Sequence, residues 1–256
     1  MSLHVETLGA GDDLVLLHGW GMHGGVWDAV KPLLAAHFRL HLVNLPGHGA
    51  SPLLTPATLE NLAETVVAAV PPRAHWCGWS LGGLVALAAA RRFPQRIGKL
   101  ALVAATPCFV QRDDWRCAMP APTLRAFAGA LENAYEDTLK RFLALQARGD
   151  EAAKGVLRAL REHLFARGRP HPAALRDGLE ILLSTDARPW TAEVTHPVLI
   201  VHGARDQLVP SPAASCLADA LPNARLAVVP DAAHAPFLSH PHEFAQMLET
   251  FLNARK

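Results

Sequence analysis

Between an apolar run, Ala74–Trp79, and an alanine- and leucine-rich stretch over residues 81–93, the chain carries Gly78-Trp79-Ser80-Leu81-Gly82-Gly83. A Gly-x-Ser-x-Gly pattern says little alone. Set between a strand-like and a helix-like segment, it predicts a sharp strand-to-helix turn that lifts the serine hydroxyl clear of the backbone. Gly78 and Gly82 have no side chain where turn and helix crowd each other. The first N–H groups of the following helix lack intrahelical acceptors and face the same place, which suits a developing negative charge.

The rest of the chain extends this pattern. Short apolar runs at residues 14–17, 40–45, 100–104, 198–201 and 226–229 read as further strands; the first is closed by His18-Gly19, the second by Pro46-Gly47-His48-Gly49. Asn44 and His48 fall in that tight loop, where turn formation accounts for both. Residues 58–70 and 240–252 have helical spacing, the latter with Phe244, Met247, Leu248 and Phe251 on one stripe. Strands alternating with helices predict an α/β fold with a mostly parallel central sheet flanked by helices. Between residues 110 and 190 no strand is convincing, and the periodicity predicts helices near 123–131, 136–147, 151–164 and 172–183. The chain therefore divides into a core, 1–109 and 191–256, and an all-helical insertion, 110–190. Ligands of open parallel sheets bind beyond the carboxyl ends of the strands, so an insertion leaving from that end is expected to cover the site as a lid.

Composition narrows the function. A length of 256 residues, half of them apolar, fits one domain, with or without an insertion. Lys and Arg number 24 against 23 acids, a balance that predicts no nucleic-acid partner. No apolar run approaches a membrane span. The opening Met1-Ser2-Leu3-His4-Val5-Glu6 has no basic region followed by an apolar one, so no signal peptide is expected and the cytoplasm is the default location. Cys77, Cys108, Cys117 and Cys216 form no C-x-x-C pair or Cys/His zinc spacing, so no metal is expected.

Acyl transfer needs a nucleophile, a base, a group that orients the base, and donors for the oxyanion. Ser80 is the candidate nucleophile. With the order serine, acid, histidine, the base falls on a late loop, and His234 lies in Pro230-Asp231-Ala232-Ala233-His234-Ala235-Pro236-Phe237 after a strand. His202 competes at a strand end but precedes the best acid; His240 and His242 flank Pro241 and read as solvated. That acid is Asp206, in Gly203-Ala204-Arg205-Asp206-Gln207-Leu208, where it would hold the His234 imidazole in the required tautomer. Asp231 lies too near His234 in sequence and is expected to cap or buttress its loop. The oxyanion donors are the N–H of Leu81, just after Ser80, and the N–H of Trp20 in His18-Gly19-Trp20-Gly21. The Trp20 indole is expected to wall the acyl site. Trp79 either lines the pocket or packs on the sheet.

His18-Gly19-Trp20-Gly21, Leu45-Pro46-Gly47-His48-Gly49, Gly78-Trp79-Ser80-Leu81-Gly82-Gly83, Gly203-Ala204-Arg205-Asp206-Gln207-Leu208-Val209-Pro210 and Ala232-Ala233-His234-Ala235-Pro236-Phe237 resemble the α/β-hydrolase superfamily over essentially the whole chain, and Trp79-Ser80-Leu81-Gly82-Gly83, Arg141-Phe142-Leu143-Ala144-Leu145-Gln146, Gly178-Leu179-Glu180-Ile181-Leu182 and Ala235-Pro236-Phe237-Leu238-Ser239-His240-Pro241 carry a narrower likeness. Within it they are similar to the pimeloyl-[acyl-carrier protein] methyl ester esterase family of biotin synthesis. That resemblance implies a serine carboxylesterase acting on a pimeloyl methyl ester held on acyl-carrier protein, without cofactor and as a monomer. The family's catalytic residues match Ser80, Asp206 and His234, and its oxyanion tryptophan and leucine match Trp20 and Leu81. Substrate-binding positions fall on Trp20, Trp79, Leu81 and Phe142. The basic residues that receive the acidic carrier match Arg141, Lys154 and Arg158, with Arg161 nearby. One family arginine, four residues before Arg141, is Asp137 here, so carrier binding is expected to be weaker or shifted at that corner.

Between residues 140 and 169 lie eight Lys/Arg against three acids, and Lys154, Arg158 and Arg161 recur at helical spacing. This reads either as an ordinary solvated face or as a docking patch for an acidic partner. The alternatives are a promiscuous short-chain carboxylesterase or thioesterase with no carrier partner, and a binding protein that kept the fold without catalysis.

Overall fold

The computed structural model describes residues 2–131, 134–164 and 166–254. Its sheet is built from β1 (Val5–Leu8), β2 (Asp12–Leu17), β3 (Phe38–Val43), β4 (Ala74–Trp79), β5 (Ile97–Val103), β6 (Val198–Gly203) and β7 (Ala224–Val229), in the order β1-β3-β2-β4-β5-β6-β7. Only β1 runs antiparallel, against β3; every other pairing is parallel. β5 and β6 are fully or mostly buried, and so are the ends of β2 and β4 that approach the site, which is why these strands read as unbroken apolar runs. β1 left no such signal because it is a half-exposed edge strand of four residues with a charged member.

Around the sheet lie α1 (Lys31–Ala35), α2 (Leu59–Ala69), α3 (Leu81–Arg92), α8 (Ser211–Ala220), α9 (Pro236–Ser239) and α10 (Pro241–Asn253). Between β5 and β6 come α4 (Ala121–Leu131), α5 (Tyr135–Ala147), α6 (Ala153–Leu164) and α7 (Pro172–Ser184), each within two residues of the predicted bounds. α3 packs along β4 and β5 and carries α2 on its other side, while α1 meets α10. The closing helix begins at Pro241, and α9 precedes it as a separate turn: the chain bends at His240, whose φ of −129° and ψ of 57° are not helical.

The insertion joins the sheet layer in one continuous apolar core. Polar ties reinforce that junction. His23 Nε2 lies 2.6 Å from the His163 carbonyl at the end of α6, and Arg167 pairs with Glu6 at 2.6 Å.

At the end of β4 the backbone of Ser80 takes φ 54° and ψ −117°, a region that costs roughly 1–3 kcal/mol for a residue with a side chain. Its N–H donates to the Val103 carbonyl at 2.9 Å, and its carbonyl accepts from Gly83 and Leu84. A Cβ on Gly82 would lie 2.5 Å from the His18 carbonyl oxygen and 2.6 Å from that of Leu17; one on Gly78 would lie 2.3 Å from the Gly82 oxygen. These obstacles are backbone and cannot swing aside. Gly82→Ala is therefore expected to lower stability by about 2–3 kcal/mol, read as a shift in the urea midpoint at constant slope.

Candidate active site

Parallel pairing of β4, β5 and β6 brings the loops after β4 and β6 to one end of the sheet. Ser80 follows β4, Asp206 follows β6, and His234 follows β7. All three are buried. His234 Nδ1 lies 2.7 Å from Asp206 Oδ2. The other carboxylate oxygen of Asp206 accepts from the N–H groups of Leu208 and Val209, at 2.8 and 2.9 Å. The carboxylate is thus held in one orientation by its own turn and presents a single oxygen to the imidazole. Nδ1 carries the proton in this pair, leaving Nε2 as the acceptor, and Nε2 is buried with no hydrogen-bond partner among the described residues.

Trp79, immediately before Ser80, touches that histidine. Its indole N–H donates to the His234 carbonyl at 2.8 Å, its ring lies 5.7 Å from the imidazole centroid, and its other contact is edge-on to Phe237. The packing reading of Trp79 is thus met: its polar atom is committed to the histidine loop and its ring packs on Phe237.

The rival residues have other partners. His202 Nε2 donates to the Val209 carbonyl at 2.9 Å and stands 3.6 Å from Asp206 Oδ2, against 2.7 Å for His234. Asp231 pairs with Arg205 at the surface, and its carbonyl accepts from Glu151, so it buttresses the loop.

The loop after β2 is fixed by His18. Its Nδ1 donates to the Gly19 carbonyl at 2.8 Å, and Nε2 accepts from the Leu45 N–H at 2.9 Å. This second bond explains why Leu45, apolar and apparently part of a strand, lies beyond the end of β3. The N–H groups of Trp20 and Leu81 have no acceptor among the described residues. The Trp20 indole N–H donates to the Leu175 carbonyl in α7 at 2.9 Å, and its ring meets Phe142 of α5 edge-on at 4.7 Å. Gly178 lets α7 lie against that ring, since a Cβ there would come 2.8 Å from Trp20 Cδ1 and 3.4 Å from a Leu81 methyl. The insertion thus packs on Trp20 through Leu175, Gly178 and Phe142.

On its outer side, Arg141 and Lys154 line a groove of about 530 Å³ with Phe127, Leu145 and Leu157, and Arg141 and Arg161 line an adjoining one with Lys140. Arg158 is 79% exposed, with only a loose contact to Glu162 at 3.9 Å. Arg167 turns inward to Glu6, and Arg169 binds Glu136, so the basic surface is narrower than the sequence count suggested. Asp137 is 78% exposed and lies 3.8 Å from Lys140.

Sequence reading missed Asn44, whose side-chain oxygen accepts from Gly24, and the contacts of Gln146 and Asp150 with the histidine loop. Turn chemistry hid the first. No local pattern marks the others.

A model of the Alpha/beta hydrolase family matches residues 14–247. The chain is 46% identical over 248 residues to the pimeloyl-[acyl-carrier protein] methyl ester esterase of Nitrosomonas europaea, covering 97% of this chain and 98% of that protein. It is 46% identical over 255 residues to the protein of the same name from Chromobacterium violaceum, covering all of both. Among solved structures it is similar to an esterase from Exiguobacterium antarcticum (TM-score 0.87, 23% identity, 98% and 96% covered). It is also similar to a bromoperoxidase from Bacillus anthracis (TM-score 0.91, 22% identity, 98% and 95% covered). At these identities the two structures speak for the fold alone.

Burial holds several histidines neutral. It pushes His18 well below the ordinary value, helped by neighbouring His48, and likewise lowers His202. It brings His48 down from 6.5 to about 4. The folded chain thus resists a proton that the unfolded chain accepts. Stability from His48 is complete above about pH 6.5 and is lost as pH falls toward 4, on the order of 3 kcal/mol, and His18 and His202 act in the same direction. Urea unfolding across that interval is expected to show a falling free energy, with a shallower fall in His48→Asn.

Proposed function

Because this chain belongs to the α/β hydrolase family, and within it to the pimeloyl-[acyl-carrier protein] methyl ester esterases, we propose that it hydrolyses the terminal methyl ester of a pimeloyl chain held on acyl-carrier protein. The product is the free terminal carboxylate, still on its carrier, with methanol released, as biotin synthesis requires. The observation that carries the chemistry is the buried 2.7 Å pair of His234 and Asp206, which leaves the other imidazole nitrogen unpartnered, with Ser80 on a strained turn after β4.

The steps follow from those positions. His234 Nε2 takes the Ser80 proton as Oγ attacks the ester carbonyl. Asp206 keeps the Nδ1 proton in place and stabilises the imidazolium that forms. The N–H groups of Trp20 and Leu81 receive the oxyanion, each such donor being worth about 3–4 kcal/mol in the transition state. The C–O bond to methoxide breaks and His234 returns the proton, so methanol leaves and the acyl group remains on Ser80. Water, deprotonated by the same histidine, attacks the acyl-enzyme and frees the acid. Trp20, Leu81 and Phe142 form the apolar wall for the acyl chain. Residues 110–190 act as a lid, which opens to admit substrate because Ser80 and His234 are buried in the closed arrangement.

Arg141, Lys154, Arg158 and Arg161 receive the acidic carrier. Support comes from their exposure on α5 and α6 and from the grooves that Arg141 shares with Lys154 and with Arg161. Such charges act mainly on encounter and orientation, and Asp137 weakens one corner. The enzyme works as a cytoplasmic monomer.

Ser80→Ala is expected to lower kcat at least about a thousandfold on free and carrier-bound methyl esters alike. Arg158→Glu should lower kcat/KM about tenfold for the carrier-bound ester only. If the free ester is turned over as well as the carrier-bound one, and Arg158→Glu changes neither, the carrier assignment fails and a promiscuous short-chain esterase is the better description.

A further inference from the structure

The turn joining α5 to α6 is bonded to the histidine loop. Asp150 sits in that turn with 6% of its surface exposed. Its Oδ1 accepts from the Ala152 N–H at 2.8 Å, a local bond that shapes the turn. Its Oδ2 accepts from the Ala233 N–H, also at 2.8 Å, although the two residues are 83 positions apart. Ala233 immediately precedes His234. Two more bonds join the same segments: the His234 N–H donates to the Gln146 carbonyl at 3.2 Å, and in the reverse direction the Glu151 N–H donates to the Asp231 carbonyl at 3.0 Å. The insertion therefore bonds to the histidine loop at residues 231, 233 and 234. Of the three bonds, only that of Asp150 is made by a side chain.

The opposite side of the loop is also held. The Arg205 N–H donates to the Ala232 carbonyl at 3.0 Å, and Trp79 holds the His234 carbonyl. A loop pinned on both sides has one permitted position for its imidazole. Releasing the Asp150 bond leaves the Ala233 N–H without its acceptor in the insertion, so the backbone next to His234 is held by fewer bonds.

We propose that Asp150 is a positioning residue: its Oδ2, bonded to the Ala233 N–H, fixes the backbone that carries His234 and thereby ties the basic helices α5 and α6 to the catalytic base. The proposal rests on the assignment of His234 as that base. The same turn that separates Arg141 from Lys154 thus reaches the reacting centre through one side chain and one peptide group. The outer face of α5 and α6 and the base are connected through the bonds at residues 231, 233 and 234, of which the Asp150 bond is the one made by a side chain.

Three variants of the full chain test this on a free short-chain p-nitrophenyl ester, which needs no carrier. Asp150→Ala removes both bonds. Asp150→Ser keeps an oxygen that can serve Ala152 but is one bond too short for Ala233. Asp150→Asn keeps one acceptor of full length, which can serve Ala233, and gives up the bond from Ala152 because its NH2 cannot accept. Asp150→Ala and Asp150→Ser are expected to lose about ten- to a hundredfold in kcat, with KM changed by less than about twofold. Asp150→Asn should stay within about fivefold of the unaltered enzyme. If Asp150→Ala does not fold, the Ser and Asn variants decide the matter. Unaltered kcat in Asp150→Ser, or equal losses in Ser and Asn, overturns the proposal. A control separates this from the reading beneath it: if Ser80→Ala and His234→Ala are inactive while Asp150→Ser is not impaired, only the positioning role is lost. If those two variants stay active, the assignment of the base itself is wrong.

Discussion

Ser80 occupies a backbone conformation that residues with side chains seldom adopt, and much of the surrounding structure serves to hold it there. The strained turn is locked by the bond from its N–H to β5, and by helix α3 starting directly beneath it. That lock works only because Gly82 lets α3 approach the carbonyls of Leu17 and His18, which brings the loop carrying Trp20 close to the start of the helix. One close backbone approach thus ties the Ser80 turn to the loop that carries Trp20. Strain of this kind persists where the neighbouring structure over-determines it, and a parallel sheet buried on both faces supplies that rigidity.

Around this fixed point the other groups are held by bonds to their backbones as much as to their side chains. Asp206 spends one oxygen on its own turn and offers the other to His234. His234 has its carbonyl bound by Trp79 and its N–H by Gln146. His18, neutral because it is buried, accepts from one loop and donates within another. These bonds cost nothing to reorganise during reaction, which is how preorganised dipoles gain their effect in a dry site. The insertion takes part in the same framework: Leu175 binds the Trp20 indole, and Asp150 binds the peptide before His234.

Much of the architecture was legible before any coordinates. The parallel strands announced themselves as unbroken apolar runs, and the helices of the insertion by their 3.6-residue spacing, because both signals are local and survive in a single window. Ser80 was legible for the same reason: the turn, the strand before it and the helix after it are consecutive. His234 and Asp206 were legible only through their order and their positions after strands. β1 was not legible, since a short edge strand with one charged residue has no pattern apart from its partner.

What the sequence determined by itself was the set of elements and the chemistry available at their ends: apolar period fixes strand and helix, and the glycines around Ser80 fix the turn. What only the tertiary structure decided was which groups share a hydrogen bond. Trp79 became a support for His234, His202 gave its proton to Val209 instead of Asp206, and Asp150 reached a peptide 83 residues away. The physical reason is that a hydrogen bond is specified over about 3 Å in space, and chain closure brings such partners together at a separation no local pattern records.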